Sequence, residues 1–186
     1  FFEEPIPGAE RNHLEITEPV PNVRVCRPYS TISSHGFHDD QIPTLQEMVL
    51  ELLDSEQIED YGVWFYSPMA LPLMRDLAPI VIAYDCMDEL SAFRNAPRQL
   101  LQRENALMKM ADVVFTGGPS LFRAKRDRHP SVHCFPSSVD ADHFKRARDP
   151  VFDHPLQQGL SKPRLGYFGV IDERIDADLI AALGDA

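Results

Sequence analysis

The sequence predicts an α/β protein built around a Rossmann-like, doubly wound parallel sheet. Its central part contains four short, mostly apolar runs, 63–66, 80–84, 113–116 and 132–135, and helix-like segments separate them. Strands that are apolar without alternation are typical of parallel sheets that helices cover on both faces. Right-handed crossover connections then arrange such strands and helices in the Rossmann manner.

The elements predicted upstream of the sheet are a β-rich segment and one helix. Residues 14–32 contain short strand-like pieces punctuated by prolines, and residues 33–40 read as a loop. Apolar residues then recur at three- and four-residue spacing over residues 42–53, which predicts an amphipathic helix. Asp39 or Asp40 is expected to cap its start, because a carboxylate there accepts from the first free N–H groups.

Further helices are predicted in the connections between the four runs. Residues 69–77 read as a short helix, residues 97–111 as a longer one, and Pro119 suits the first turn of a third. The longer helix is expected to bury an apolar stripe formed by Leu100, Leu101, Leu107, Met108 and Ala111. Glu104 lies on this stripe, so its carboxylate needs an arginine or a helix N-terminus as partner, or else it supports a functional site.

The residues after the fourth run predict a change of domain. Residues 1–144 are assigned to one domain, and residues 145–163, rich in Pro, Gln and charge, to a linker. Residues 164–186 predict a strand over 164–169 and then a helix, as at the start of a second Rossmann-like domain. Because residues 1–5 read like the tail of a buried strand, we expect a first strand to be missing. We expect the second domain to be truncated, because the sequence stops just after a helix-like stretch.

The composition excludes several classes of function. The formal net charge of the 186 residues is −11, and an acidic chain repels phosphate backbones, so we expect no nucleic-acid partner. The sequence has no run of about 18 apolar residues, so no membrane span is predicted. Cys26, Cys86 and Cys134 are expected to be free thiols in a reducing, cytoplasmic compartment. Neither they nor the seven histidines have the spacing of metal ligands, so no metal site is predicted.

Two basic clusters interrupt the acidic composition. One is formed by Arg123, Lys125, Arg126 and Arg128, and the other by residues 145–148. A solvated helix face and a solvated linker are the simpler interpretation. The alternative is contact with anionic lipid or a phosphate-bearing acceptor, which would make the protein peripheral at the inner face of the membrane.

Candidate functional residues follow the carboxyl ends of the predicted strands, because ligands bind at that edge of parallel α/β sheets. They are Ser67, Asp85, Asp88, Glu89, Thr116, Gly117, Gly118, Ser120, Ser137, Ser138 and Asp140. The Gly117-Gly118 turn before a predicted helix resembles a phosphate cradle, since glycines allow close backbone approach to the free N–H groups. An ordinary turn is the simpler interpretation of the same pair.

The loop with Asp85, Asp88 and Glu89 is the most informative of these segments. Three carboxylates within five residues repel one another, so stability alone does not explain their placement. A carboxylate near others can have a raised pKa and act as a base or as an acceptor for sugar hydroxyls. On spacing alone, it is equally consistent that Asp88 caps the next helix and that Glu89 favours its positive N-terminus.

Four segments, taken in order, resemble the group 1 glycosyltransferases of the GT-B fold. They are Ile80-Val81-Ile82-Ala83-Tyr84-Asp85, the run from Leu101 to Thr116, the run from Phe135 through Val139-Asp140 to Phe144, and Gly166-Tyr167-Phe168-Gly169 to Arg174. The resemblance covers roughly residues 61–180 and rests on the joint order of the pieces. It implies that the chain is the acceptor-binding, N-terminal half of such a protein.

The resemblance implies transfer of a sugar from a nucleoside diphosphate sugar to a saccharide or lipid-linked acceptor, as in cell-envelope or polysaccharide synthesis. No metal or other cofactor is implied, and the family usually retains anomeric configuration. Gly169 and Arg174 match the loop that meets the donor diphosphate. Asp85 falls near the position of a histidine that faces the donor sugar, so Asp85, Asp88 and Glu89 are the predicted catalytic residues.

The chain departs from the family pattern at several positions. Ser137-Ser138 stands where Asn-Gly is usual, Val170 where an arginine is common, and Tyr84-Asp85 where the histidine is usual. The motif that grips the donor nucleotide would lie beyond Ala186, so we expect this chain alone to have little transferase activity. Two other classes stay open, a non-catalytic Rossmann-like ligand-binding domain and a nucleotide-sugar epimerase of the same architecture.

Overall fold

A computed structural model of the chain describes residues 1–152, 154–171 and 175–184. The chain divides into two compact units, Phe1–Ser138 and Val139–Ala186. Unit 1 contains a mixed α/β fold with two sheets. Its strands are β1 (His13–Val20), β2 (Val23–Tyr29), β3 (Gly62–Phe65), β4 (Val81–Cys86), β5 (Val113–Thr116) and β6 (Val132–Cys134). Its longer helices are α1 (Ile42–Ser55), α2 (Leu100–Met110) and α3 (Pro119–Lys125), with 3-10 helices at Pro68–Met74 and Leu90–Ala92.

The four predicted apolar runs form one all-parallel sheet, which confirms the α/β prediction. The strand order is β3-β4-β5-β6, the same as the order along the chain. Each connection carries a helix, so the strands point the same way and their carboxyl ends meet at one edge. The architecture is consistent with a Rossmann-like fold.

Unit 1 covers only one face of this sheet with helices. Phe65, Tyr84 and Val114 lie on the covered face, in one core cluster with side chains from all three connecting helices. The opposite face is open. Trp64 on that face keeps 52% of its surface exposed and stacks on Phe115 at 5.1 Å between ring centroids. The predicted second layer of helices is therefore not found in unit 1, because consecutive strand order sends every connection to the same side.

The longer predicted helix is shorter than expected and buries a narrower stripe. It begins at Leu100 rather than Pro97. Leu107 and Met108 are buried in the core cluster that contains the sheet residues, and Leu100 is buried as well. Leu101, expected on the same stripe, is 54% exposed.

The first helix forms as predicted, but neither aspartate caps it. Gln41 occupies the N-cap position and makes no side-chain cap bond. Asp39 instead forms an ion pair with Arg103, and Asp40 accepts a hydrogen bond from Ser34 Oγ at 3.1 Å. Asp39 thus connects the loop before α1 to α2, and Asp40 makes a contact within that loop. The local sequence does not indicate these partners.

A two-stranded antiparallel sheet precedes α1. Strands β1 and β2 pair from His13↔Tyr29 to Val20↔Val23. The first residues of the chain run beside β2, through parallel bridges Phe2↔Cys26 and Ile6↔Tyr29. The strand-like prediction for residues 14–32 is therefore confirmed, and residues 1–6 extend the same sheet.

Unit 2 consists of short helices. They are α4 (Ala141–Phe144), α5 (Pro155–Gln158), α6 (Ala177–Gly184) and 3-10 helices at Lys145–Arg148 and Pro150–Phe152. The strand predicted over residues 164–169 is wrong, since these residues form no ladder with any described part of the chain. An extended apolar run without a neighbouring strand has no partner for its backbone groups, so it does not become a sheet.

We expect Leu107→Ala to destabilise the protein by about 2–5 kcal/mol, because its side chain is fully buried between α2 and the sheet. Urea unfolding followed by the fluorescence of Trp64, the single tryptophan, measures this change. Leu101→Ala on the same helix is the matched control and is expected to stay within about 0.5 kcal/mol of wild type. Equal losses in the two variants would contradict the assigned packing of α2.

Candidate functional site

The candidate site lies at the carboxyl edge of the parallel sheet in unit 1. The segments that follow β3, β4 and β5 begin at Tyr66, Met87 and Gly117. The β4 and β5 segments touch, since Gly117 donates its N–H to the Cys86 carbonyl at 3.0 Å. A Cβ on Gly117 would lie only 3.0 Å from the Met87 carbonyl oxygen. Glycine at this position therefore allows the two loops to pack closely.

The three predicted carboxylates do not share one environment. Asp85 belongs to β4 itself and pairs in register with Phe115, whereas Tyr84 and Cys86 face the covered core. Because successive strand side chains point to opposite faces, Asp85 faces the open side of the sheet. Asp88 and Glu89 alone lie in the loop. The structure therefore separates Asp85 from the other two carboxylates, which the sequence had grouped together.

Glu89 is anchored by a buried lysine. Lys125 Nζ lies 2.8 Å from Glu89 Oε2 and 2.7 Å from Glu104 Oε1, and its side chain is only 1% exposed. Ser91 Oγ also donates to Glu89 Oε1 at 2.9 Å. A buried charge requires a partner of opposite sign, and Lys125 has two. Glu89 therefore serves to hold the loop against α2 and α3.

Glu104 completes this ion network. Arg128 contacts Glu104 Oε2 through both terminal nitrogens at 3.2 Å, and the Tyr84 hydroxyl donates to Oε1 at 3.2 Å. The arginine partner expected for this carboxylate is thus present. The solvated-face interpretation of the basic cluster is wrong for Lys125, which is buried, and for Arg128, which pairs with Glu104. Two carboxylates and two cations balance the charge, which is what burial requires.

The network sets the ionisation of its members. Burial would raise the pKa of Glu89, but hydrogen bonds from Lys125 and Ser91 outweigh it and leave the pKa below its usual value. Burial would lower the pKa of Lys125, but the hydrogen bonds that its ammonium group donates to Glu104 and Glu89 leave it raised. Burial also raises the pKa of Tyr84 and of the Cys86 thiol. Near neutral pH, Glu89 is therefore charged and paired, the opposite of a raised-pKa base.

Asp88 is the exposed carboxylate of the loop. Within the described ranges, its carboxylate makes no hydrogen bond or ion pair. The expected helix-capping role is not observed, because the 3-10 helix Leu90–Ala92 begins after Glu89 and has no side-chain cap bond. Asp88 is therefore free to accept a hydrogen bond from a ligand.

The other predicted binding residues divide into structural and exposed groups. Thr116 is fully buried and donates from Oγ1 to the His133 carbonyl at 3.2 Å, so it joins β5 to β6. Ser67 caps the 3-10 helix that follows β3 by accepting the Met69 N–H at 3.3 Å. Gly118 is the N-cap of α3, with open space around it, and Ser120 and Ser138 are exposed. The predicted α3 start at Pro119 is confirmed.

The predicted donor-diphosphate residues belong to unit 2. Gly169 has a φ of +158°, and a Cβ there would lie 2.8 Å from the Tyr167 hydroxyl. Only glycine adopts this backbone without strain. Arg174 lies outside the described residues.

Two observations bear on metals and membranes. In the described ranges, no group of three or more His, Cys, Asp and Glu side chains is arranged to hold a metal ion. The three cysteines are free, with Cys26 and Cys86 buried. No described helix combines the length and apolar character needed to cross a bilayer.

Comparison of the chain with models of known protein families and with curated proteins finds no match. The class of protein is therefore described by its fold and its candidate site alone. Unit 1 is an α/β domain with a four-stranded parallel sheet, and it carries an anchored acidic loop at the carboxyl edge.

Sequence reasoning missed Lys125 and Arg128 as partners of the site. The available signal was Glu104, a carboxylate on an apolar helix stripe that needs a cation. Lys125, the last residue of α3, and Arg128 lie 21 and 24 residues after Glu104 in the sequence but contact it in space, and the sequence gives no measure of that proximity.

We expect Lys125→Met to destabilise the protein by about 3–5 kcal/mol, because it removes the buried cation that pairs with Glu89 and leaves the buried Glu104 carboxylate with Arg128 alone of its two cations. Urea unfolding at neutral pH measures the change. Arg126→Met is the matched control, since the Arg126 side chain is 56% exposed and lies 3.7 Å from Asp127. An unfolding midpoint for Lys125→Met equal to that of the control would contradict the buried network.

Glu89→Gln is expected to change the acid dependence of stability. The folded-state pKa of Glu89 is lowered, so its stabilisation is present above its unfolded value of 4.5 and is lost as pH falls through the folded value. The variant should be less stable than wild type at neutral pH, and this difference in stability should close as the pH falls below 4.5 and through the lowered folded-state pKa. Thermal unfolding across this range measures it, with Asp88→Asn as control. A gap that stays constant on acidification would exclude the ion pair.

Proposed function

We propose that the protein takes part in glycosyl transfer, moving a sugar from a nucleoside diphosphate sugar to a hydroxyl of a saccharide or lipid-linked acceptor. In this proposal, unit 1 is the acceptor-binding, N-terminal half of a GT-B fold, and residues 164–186 begin the donor-binding half. The observation that carries it is the acidic loop at the carboxyl edge, where Glu89 is anchored and Asp88 is exposed and unpaired within the described ranges. The ordered resemblance of four sequence segments supports the same class.

The geometry favours Asp88 as the residue that meets the acceptor. An exposed carboxylate accepts a hydrogen bond from a sugar hydroxyl and can take up its proton. The acceptor oxygen then bonds to the anomeric carbon while the bond from that carbon to the nucleoside diphosphate breaks. Glu89 acts as a positioning residue, because its bond to Lys125 holds the loop that carries Asp88.

The donor side rests on the resemblance. Gly169 and Arg174 would lie against the leaving diphosphate, with Arg174 offering its guanidinium to the developing charge. Asp85, on the open face of the sheet, is a candidate for orienting the donor sugar rather than for proton transfer. No metal or other cofactor is expected in this scheme.

One observation favours a second candidate function, a non-catalytic ligand-binding domain. Two of the predicted site residues, Thr116 and Glu89, have structural partners inside unit 1. If Asp88 only binds a polar ligand, the same arrangement serves recognition without turnover. A nucleotide-sugar epimerase would differ by forming product from the nucleotide sugar alone.

The test is turnover of nucleoside diphosphate sugars by the full-length protein that carries this sequence, measured as release of nucleoside diphosphate. Asp88→Asn should lower turnover by about 100-fold or more while donor binding persists. Asp54→Asn, an exposed carboxylate of α1, is the control and should leave turnover unchanged.

Three outcomes decide between the candidates. Wild-type turnover in Asp88→Asn would remove Asp88 from the chemistry. Donor binding without turnover in any form would favour the ligand-binding domain. Epimerised sugar formed without an acceptor would favour the epimerase.

A further inference from the structure

A loop on the carboxyl side of the parallel sheet is held in place by helix α2. We call residues 33–40, which lie between β2 and α1, the wall loop. Arg103 of α2 donates from Nη1 to the Phe37 carbonyl of this loop at 3.2 Å and to the Met69 carbonyl at 3.0 Å. Met69 lies in the 3-10 helix that begins just after the carboxyl end of β3. The wall loop therefore lies on the side of the sheet where ligands bind in parallel α/β folds.

Arg103 is a largely buried cation whose donors are used for these contacts. Its side chain is 12% exposed, and Nη2 forms an ion pair with Asp39 of the wall loop. Gln99, at the N-cap of α2, donates to the same carboxylate at 3.2 Å. A guanidinium presents several donors in a rigid planar fork, so one side chain can bind two carbonyls and a carboxylate together. A single residue thus joins α2, the wall loop and the segment after β3.

Helix α1 fixes the wall loop from its other side. Gln41, at the N-cap of α1, is fully buried, and its Nε2 donates to the Ser34 carbonyl at 2.6 Å and to the Ile32 carbonyl at 3.2 Å. Phe37 packs with Leu45 of α1 in a second apolar cluster. Buried side chains therefore hold the backbone of the loop both before and after residues 35 and 36.

The fixed loop presents two histidines to solvent. His35 and His38 are exposed, and Gly36 between them has a φ of +59°, a left-handed backbone that glycine adopts without strain. Nδ1 of His38 lies 3.3 Å from both the backbone nitrogen and Oδ2 of Asp40, which orients the ring. Within the described ranges, Nε2 of His38 makes no hydrogen bond. Because an imidazole nitrogen donates to or accepts from a hydroxyl group, Nε2 can pair with a ligand.

The same helix also fixes the acidic loop. Glu104, the residue after Arg103, binds Lys125 at 2.7 Å, and Lys125 pairs with Glu89. Adjacent residues on a helix point about 100° apart, so Arg103 and Glu104 reach different neighbours. Helix α2 therefore holds two loops on the carboxyl side of the sheet, the one that carries Asp88 and the wall loop.

We propose that the wall loop is a second acceptor-binding segment, in which His35 and His38 bond to hydroxyls of the saccharide acceptor and Arg103 is the positioning residue. The inference rests on the proposed glycosyl transfer and adds residues that recognise the acceptor beside Asp88. Sugar hydroxyls both donate and accept hydrogen bonds, as imidazole nitrogens do. The carboxylate of Asp40 next to His38 disfavours an anionic group at this position.

The first test measures initial rates of the full-length protein that carries this sequence. Donors are a panel of nucleoside diphosphate sugars, and acceptor probes are the methyl glycosides of glucose, galactose and mannose. Arg103→Met keeps an apolar stem and removes every donor, so it should raise the acceptor KM by about tenfold and change the donor KM by less than about twofold. Arg103→Lys should recover part of this loss, because an ammonium keeps the charge but replaces only some of the bonds. A purely structural role would not separate the two KM values.

Hydrogen exchange on the same variants separates positioning from contact. Arg103→Met should speed exchange in residues 34–40, because the loop loses three hydrogen-bonded contacts. Asp39→Asn removes only the ion pair, so it should act in the same direction with a smaller effect. This milder variant applies the same test if Arg103→Met does not fold.

The histidines are tested by the double variant His35→Ala/His38→Ala. It should raise the acceptor KM by about fivefold or more without faster exchange in the wall loop, because it removes contacts but not the anchors. His13→Ala, at an exposed histidine of β1, is the matched control and should change neither quantity.

Four results would overturn this inference and leave the proposed transfer standing. They are no acceleration of turnover by any of the methyl glycosides, an unchanged acceptor KM in the histidine double variant, equal rises of both KM values in Arg103→Met, and unchanged exchange of the wall loop in that variant. No turnover of any nucleoside diphosphate sugar by the wild-type protein would instead overturn the glycosyl transfer and the acceptor role together.

Discussion

The ammonium group of Lys125, held between Glu104 and Glu89, is the interaction on which the geometry of the sheet's carboxyl edge depends. It joins α3, α2 and the loop after β4, three elements far apart in sequence. A charge with 1% of its side chain exposed is tolerated only with partners of opposite charge in place. Arg128 and Tyr84 donate further hydrogen bonds to the Glu104 carboxylate. The two carboxylates, Glu104 and Glu89, are therefore balanced by the two cations, Lys125 and Arg128.

This balance gives the two loop carboxylates different roles. Glu89 is charged, paired and partly buried, so it fixes the course of the loop and has no proton to exchange near neutral pH. Asp88 is carried on that fixed loop and remains exposed. Gly117 contributes from the next strand, since only a residue without a side chain allows the β5 loop so close to Met87. A rigid loop that presents one carboxylate is a suitable base for recognising a hydroxylated ligand.

Within unit 1, helices pack on one side of the parallel sheet only. All three helical connections of β3 to β6 pack on the face that contains Tyr84 and Val114, because the strands follow one another in chain order. Trp64 and Phe115 stack on the open face, and the outer edge of β3 borders a cleft with an apolar floor. Parallel sheets are normally buried on both faces. The resulting apolar surface lies on the β3 side of unit 1, and no residue of the acidic loop lines the cleft there.

The sequence by itself determined the strands and most helices of unit 1, because apolar runs and three- to four-residue periodicity are local signals of burial. It also indicated that Glu104 needed a partner, an arginine or a helix N-terminus, unless it supported a functional site. Only the tertiary structure decided that the partners are Lys125, at the end of α3, and Arg128, just after it. It also decided that Asp85 faces the open sheet while Glu89 faces the core, and that residues 164–169 form no strand. Each of these outcomes depends on neighbours distant in sequence, and a local pattern carries no information about which distant residue will be adjacent.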